Sequence, residues 1–91
     1  MSYSYATQRP VVFTEAGQVM FLRIYDSARD LIKTAGAVRA DKLIMAAGTC
    51  DTWDVLACID RLVELGEIVE VKNTVSEAGQ FRLFTKRNDV L

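Results

Sequence analysis

A long run of residues with apolar side chains at helical spacing occupies the first half of the chain. The apolar positions of this run are Val19, Met20, Ile24, Ala28, Leu31, Ile32 and Ala35. Charged side chains fall between them, so the pattern predicts an amphipathic helix. Thr14 is a suitable N-cap and Gly36 a suitable end, which places the helix over residues 15–34.

A short strand and two shorter helices are predicted next. Residues 37–39 suit one strand, and residues 41–47 suit a short helix that ends at Gly48. Asp51 is a suitable N-cap for a third helix, which closes at Gly66. The apolar stripe of this third helix consists of Val55, Leu56, Ile59, Leu62 and Val63.

The apolar period changes from helical to alternating after Gly66. Apolar and polar side chains alternate over residues 68–72 and again over residues 81–86. The segment between them, residues 73–79, contains the asparagine and glycine that are typical of a turn. Two alternating runs around such a turn predict a β-hairpin.

The length of the chain is that of one domain. Its 91 residues, 51% of them hydrophobic, are enough for one modest core and too few for two. Residues 1–10 are mostly polar and end at the only proline, so we expect a flexible N-terminal arm there unless a partner captures it. Residues 11–87 then form the folded domain, and residues 88–91 form a C-terminal tail.

The composition argues against most catalytic and metal chemistry. The sequence contains no histidine, which removes histidine-dependent catalysis and histidine metal ligands. Cys50 and Cys58 cannot hold a structural zinc ion alone, and on one helix they would lie too far apart for a disulfide bond. We therefore expect no enzymatic activity, no metal site and no cofactor.

Neither a leader nor a membrane span is evident in the sequence. The first residues lack a basic region followed by an apolar stretch, and the apolar runs are no longer than five residues. We expect a cytoplasmic protein with no membrane partner and with both thiols reduced.

Two segments resemble the winged-helix superfamily, a relative of the helix-turn-helix. Residues 60–71, with the sequence DRLVELGEIVEV, resemble the end of the third helix and the first wing strand. Residues 41–48, DKLIMAAG, resemble the second helix and the turn after it. The resemblance covers about residues 15–87 and points to small bacterial or phage regulators. It implies an α+β fold of three helices, a winged helix-turn-helix, with a C-terminal β-hairpin wing.

The resemblance implies a protein that binds double-stranded DNA or regulates transcription, with its third helix in the major groove. Carried over position by position, the exposed residues of that helix are Thr49, Asp51, Thr52, Asp54, Ala57, Cys58 and Arg61. The predicted DNA contacts are Thr52 and Arg61 from the helix and Lys72, Arg82, Lys86 and Arg87 from the wing. A solvated strand face would show the same basic pattern in the wing.

The third helix is acidic for a DNA reader. Residues 51–66 contain four acidic side chains, Asp51, Asp54, Asp60 and Glu64, against the single base Arg61, a net charge of −3. Phosphates repel carboxylates, although two of these acids also suit the cap and first turn of the helix. An alternative therefore stays open. In it, the chain is a winged-helix protein–protein interaction module whose partner docks on the acidic third helix and on the apolar surface of the first helix.

The first helix carries more apolar surface than one core can use. Four consecutive apolar residues wrap around a full helical turn, so some of them must face away from the core. We therefore predict a homodimer, with an interface that contains Val12, Phe13, Val19, Met20, Phe21 and Leu22. Trp53, the only tryptophan, is predicted to be a core or interface anchor.

Overall fold

The computed structural model of the protein describes residues 2–48, 50–71 and 82–87. Over these residues the fold is α+β, as predicted, with four helices and one three-stranded sheet. In chain order the elements are α1 (Tyr5–Val12), α2 (Glu15–Ala35), β1 (Ala37–Arg39), α3 (Ala40–Ala46), α4 (Thr52–Glu64), β2 (Ile68–Val71) and β3 (Leu83–Lys86).

Helix α2 confirms the predicted long helix. It begins after Thr14, whose side-chain oxygen accepts a hydrogen bond from the backbone N–H of Gly17 at 3.0 Å. It ends at Gly36, which has a φ of 86° and donates its N–H to the carbonyl of Ile32 at 2.7 Å. Glycine adopts this left-handed conformation without the strain that a Cβ would bring. These two local signals place both ends of the helix.

Helix α1 is the main departure from the predicted architecture. The sequence predicts a flexible arm over residues 1–10, whereas Tyr5–Val12 form a helix that packs against α4. Pro10 lies inside this helix and lacks the N–H that would continue the helical hydrogen bonds. Isolated helices this short are unstable in water, so α1 depends on its contacts with the rest of the chain. The part of the chain that the structure describes therefore has four helices rather than three.

The three strands form one antiparallel sheet in the order β1-β3-β2. The middle strand is β3, where Phe84 pairs with Val38 on one side and with Glu70 on the other. The backbone N–H of Ala40 continues this pairing to the carbonyl of Arg82 at 2.8 Å. The prediction of a separate C-terminal β-hairpin wing is therefore corrected. Strand β3 pairs with β1 as well as with β2, so all three strands belong to a single sheet. The predicted turn and tail, residues 73–79 and 88–91, lie outside the described residues.

Helix α4 lies at the centre of the molecule. Its buried residues are Val55, Leu56, Ala57, Cys58, Ile59 and Leu62. Successive residues of an α-helix project about 100° apart, so a run of five buried residues covers more than one side. The helix packs against α1, α2 and α3, which surround it. The rest of the core includes Ile24 and Ala28 of α2, Leu43 of α3 and Phe84 of β3.

Candidate functional site

The start of α4 is fixed by two aspartates that the sequence leaves open to structural or partner-binding roles. The Asp51 carboxylate accepts hydrogen bonds from the backbone N–H groups of Trp53 at 2.8 Å and Asp54 at 3.3 Å, which confirms it as the N-cap. Asp54 in turn accepts a hydrogen bond from Nε2 of Gln8 at 3.0 Å. Burial, and then the charge of Asp51, raise the pKa of Asp54. Both acids are thus engaged within the chain.

The other two acids of α4 hold the N-terminal segment in place. The hydroxyl of Tyr3 donates to Oδ2 of Asp60 at 2.6 Å, and the hydroxyl of Tyr5 donates to Oε1 of Glu64 at 2.8 Å. Nε of Arg9 also donates to Glu64 at 3.2 Å. Burial and the bond to Asp60 raise the pKa of the Tyr3 phenol well above its usual range. The acidic side chains of α4 therefore serve as anchors for α1 and the residues before it.

The surface of α4 beneath these contacts is shielded from solvent. Ala57 and Cys58, which the winged-helix resemblance places among the exposed groove-facing residues, are 0% and 1% exposed, so that prediction is wrong. Burial raises the pKa of the Cys58 thiol to about 12, which keeps it protonated at neutral pH. Cys50 is half-buried, and both cysteines are free thiols. Trp53 is half-buried against the core, with its ring 6.4 Å from that of Tyr3.

Arg82, predicted as a wing contact to phosphate, is held between two carboxylates. Its guanidinium bonds to Oδ1 of Asp60 at 2.7 Å and to Oε1 of Glu70 at 2.9 Å, and 17% of its side chain is exposed. Burial opposes the charge on Arg82, but the hydrogen bonds to Glu70 and Asp60 more than offset it, so its pKa is raised. The interaction joins α4 to β2 and β3.

Arg61, predicted to face the DNA groove, also has partners inside the molecule. Its Nη1 donates to Oε1 of Glu64 at 2.7 Å, and its guanidinium lies 5.0 Å from the centre of the Phe13 ring. Arg9 lies 4.8 Å from the same ring. The hydrogen bonds from Arg61 and then from Tyr5 lower the pKa of Glu64. A cation with these neighbours is less able to neutralise a DNA phosphate.

The remaining predicted DNA contacts are spread over the molecule. Thr52 is exposed at the first position of α4, whereas Lys86 and Arg87 are exposed at the end of β3. Lys72 lies outside the described residues. Thr52, Lys86 and Arg87 are therefore exposed, whereas Arg61 and Arg82 form ion pairs with carboxylates of α4 and β2.

The predicted dimer residues divide into buried and exposed groups. Val12 is 1% exposed and is part of the monomer core, so it cannot line an interface. Met20 and Phe21 are half-buried and pack against the same core. Val19 and Leu22 are 56% and 58% exposed, and Phe13 is half-exposed beneath its two guanidinium groups. Three of the six predicted residues thus remain on the outside.

A cleft that the sequence does not predict opens between α2 and the sheet. It has a volume of about 610 Å³ and a mostly apolar lining. Its lining residues are Tyr25, Ala28, Arg29, Ile32, Lys33, Gly36, Glu67, Ile68 and Lys86. A second, shallower depression of about 340 Å³ lies beside it and is lined by Phe21, Leu22, Tyr25, Leu62, Leu65 and Glu67. The two share Tyr25 and Glu67.

Within residues 2–48, 50–71 and 82–87, no three metal-ligating side chains of cysteine, aspartate or glutamate come together. None of the four helices combines the length and the apolar character that crossing a bilayer demands. The remaining candidates for a binding surface are the cleft, the depression beside it and the exposed part of α2.

The chain was also compared with known proteins. No protein family, no curated protein and no solved structure matches it. Its function must therefore be inferred from its own surfaces, which combine a covered central helix with an exposed apolar face on α2.

Proposed function

We propose that this chain is a small winged-helix module that acts through protein–protein contacts and does not read DNA with α4. The order of α2, β1, α3, α4, β2 and β3 supports the winged-helix assignment, because it is the element order of that fold. The strand between the first two of these helices also joins the sheet. In this arrangement α4 occupies the place of the DNA-reading helix.

The observation that carries the proposal is the position of α1 on α4. A helix with its side chains is about 10–12 Å across, and the major groove is about 12 Å wide, so a reading helix must present a free face. In this chain α1 packs against α4, and Ala57 and Cys58 of α4 are almost completely buried. A duplex could reach that face of α4 only after α1 had moved away.

The charges of α4 support the same conclusion. Its carboxylates cap the helix, bind Gln8, hold the N-terminal tyrosines and pair with Arg82. The negative charge that disfavours DNA is thus used to hold neighbouring elements. These acids are also poor candidates for an external partner, so we place the protein-binding surface on α2 rather than on the acidic helix.

The exposed apolar face of α2 is the proposed interface. Val19 and Leu22 lie three positions apart and so on adjacent parts of the helix surface, and each is more than half exposed. Leu65, 47% exposed, lines the same depression as Leu22. We call these three residues the α2 patch. A contiguous apolar patch is typical of an interface, and a second copy of the chain is the proposed partner.

Light scattering with size-exclusion chromatography tests this interface. The wild-type chain is expected to be a dimer, and the double variant Val19→Asp/Leu22→Asp a monomer, since two carboxylates would be buried without partners. Met45→Asp is the matched control, because Met45 is an apolar residue 72% exposed on another helix, α3. The control should remain dimeric. A monomeric wild type, or a control as monomeric as the double variant, refutes the interface.

Binding to labelled duplex DNA tests the second half of the proposal. We expect Thr52→Glu, at the exposed start of α4, to leave any fluorescence anisotropy change unaltered even at low ionic strength. A salt-sensitive signal that Thr52→Glu abolishes would show that α4 reads DNA and would refute the proposal.

A second candidate function is weak contact with DNA phosphates through the end of β3. The observation in its favour is the exposure of Lys86 there. In this case a salt-sensitive anisotropy change should be reduced by Lys86→Glu and unaffected by Thr52→Glu. The same signal with Lys86→Glu as with the wild type would exclude this candidate.

A further inference from the structure

The larger cleft has the shape of a small-molecule site. Its volume of about 610 Å³ falls within the range of roughly 300–1,000 Å³ that such sites occupy. Ala28, Ile32 and Ile68 are buried core residues whose side chains form an apolar floor. The half-buried ring of Tyr25 forms one wall. An apolar body of moderate size would displace water from this surface.

The rim of the cleft is positively charged. Three cationic side chains, Arg29, Lys33 and Lys86, line it against one carboxylate, Glu67. That carboxylate already accepts a hydrogen bond from the hydroxyl of Tyr25 at 3.0 Å. Lys33 and Lys86 are both exposed, so each can approach a ligand at the opening.

Arg29 is held at the cleft by a ring and a loose ion pair. Its guanidinium lies 5.4 Å from the centre of the Tyr25 ring. Its pairing with Asp26 is long, at 3.9 Å, and both side chains are more than 60% exposed. An exposed pair of this length holds the cation weakly, so Arg29 remains available to an anion at the rim.

The partial negative charge at the C-terminus of α2 does not cancel the positive charge of the rim. Carbonyl groups at a helix C-terminus carry partial negative charge, which disfavours a nearby anion. Here the carbonyl of Gly36 accepts a hydrogen bond from the hydroxyl of Thr85 at 2.8 Å. Lys33 is in the last turn of the helix, where a positive charge offsets the partial negative charge of the carbonyl groups.

We propose that this cleft binds a small organic carboxylate with an alkyl or aryl body. The apolar body lies on the floor formed by Ala28, Ile32 and Ile68, and the carboxylate lies at the rim near Lys33 and Lys86. A single anionic head suits a site whose polar groups are confined to its opening. None of the three residues of the α2 patch lines this cleft, although the depression that Leu22 and Leu65 line adjoins it and shares Tyr25 and Glu67 with it. The proposed ligand site does not rest on the proposed protein–protein function.

Isothermal titration with decanoate, decanol and decylamine tests the proposal, because the three share one alkyl body and differ in charge. Decanoate is expected to bind with one site per chain and about tenfold more tightly than decanol, and decylamine most weakly. The double variant Lys33→Gln/Lys86→Gln should lose about tenfold in decanoate affinity and keep its affinity for decanol. Both lysines are exposed, so this variant should fold normally.

Two controls locate the site. Lys42→Gln removes an exposed lysine of α3 that does not line the cleft, and it should leave decanoate affinity unchanged. Leu22→Asp alters the α2 patch and should also leave it unchanged. The proposal is overturned if decanoate does not bind, if decanol binds as tightly, or if Lys42→Gln weakens binding as much as the double variant. Loss of binding in Leu22→Asp would place the ligand on the patch and would likewise overturn it.

Discussion

Replacing Gly17 by alanine is the sharpest test of how α1 is held. Gly17 is buried in the first turn of α2, where the chain turns from α1. A Cβ at this position would lie 1.9 Å from the carbonyl oxygen of Val11 and 2.9 Å from Cα of Val12. Both are backbone atoms, so no side-chain rotation relieves the contact. The substitution must push the end of α1 away from α2.

The sign of the change in the free energy of unfolding distinguishes the steric clash at Gly17 from the usual effect of helix propensity. In a helix interior without a clash, glycine to alanine stabilises by about 0.5–1 kcal/mol. Here Val12 is 1% exposed, and burial of a valine side chain contributes about 1.5–3 kcal/mol, part of which is lost when α1 moves. The ion pair between Arg9 and Glu64 is exposed to solvent and therefore adds little to this loss. We expect a net loss of about 2 kcal/mol in the free energy of unfolding.

Urea unfolding followed by circular dichroism measures this loss, and Trp53 fluorescence reports the position of the N-terminal segment. The Tyr3 ring lies edge-on to Trp53, so displacement of α1 should shift the emission to longer wavelength. Gly36→Ala is the control: it has no atom within 4 Å of the new Cβ, and its φ of 86° makes it cost about 1 kcal/mol without altering Trp53. A more stable Gly17→Ala with native emission would refute the reasoning.

Three further outcomes are expected. Arg82→Met should lower the free energy of unfolding by about 2–3 kcal/mol, because it removes the guanidinium that joins the largely buried carboxylates of Asp60 and Glu70. Lys86→Met should change it by less than about 0.5 kcal/mol in the same urea titration. Folding lowers the pKa of Glu64 below its usual 4.5, so its stabilisation is complete above that value and is lost as the pH falls through the folded pKa. Glu64→Gln should therefore weaken the dependence of the urea midpoint on pH between about pH 6 and pH 3; an unchanged dependence contradicts the assignment. With an alkylating reagent at neutral pH, mass spectrometry should find Cys50 modified before Cys58, whose buried thiol has a pKa of about 12.

The parts of the fold that local chemistry determines were predictable from the sequence. The Thr14 cap, the glycine that ends α2 and the Asp51 cap act within four residues of their own position. Helix α1 has no such local signal, since it contains a proline and its partners Asp54 and Glu64 lie about fifty residues away. A helix stabilised by tertiary contacts is invisible to periodicity.

The candidate sites also divide into features that depend on local sequence and features that depend on tertiary contacts. The sequence correctly identifies excess apolar surface on α2, and Val19 and Leu22 are indeed exposed. It cannot identify the cleft, because Lys33 and Lys86 come together only when the sheet packs against α2. For the third predicted helix, the sequence accounts for Asp51 and Asp54 through the cap and first turn, but it leaves Asp60 and Glu64 unexplained. Pairing with Arg82 and with the N-terminal residues accounts for these two acids.

The use of α4 as an anchor for both ends of the fold has a consequence for biosynthesis. The hydroxyl of Tyr3 meets Asp60 across 57 positions of sequence, and Asp60 then pairs with Arg82 a further 22 positions on. A ribosome releases α1 long before it releases α4, against which α1 packs. During translation α1 is therefore exposed to solvent and to chaperones until α4 has emerged from the ribosome and the sheet has formed. Slowing synthesis after residue 48 would lengthen that interval and increase proteolysis of α1 in the nascent chain.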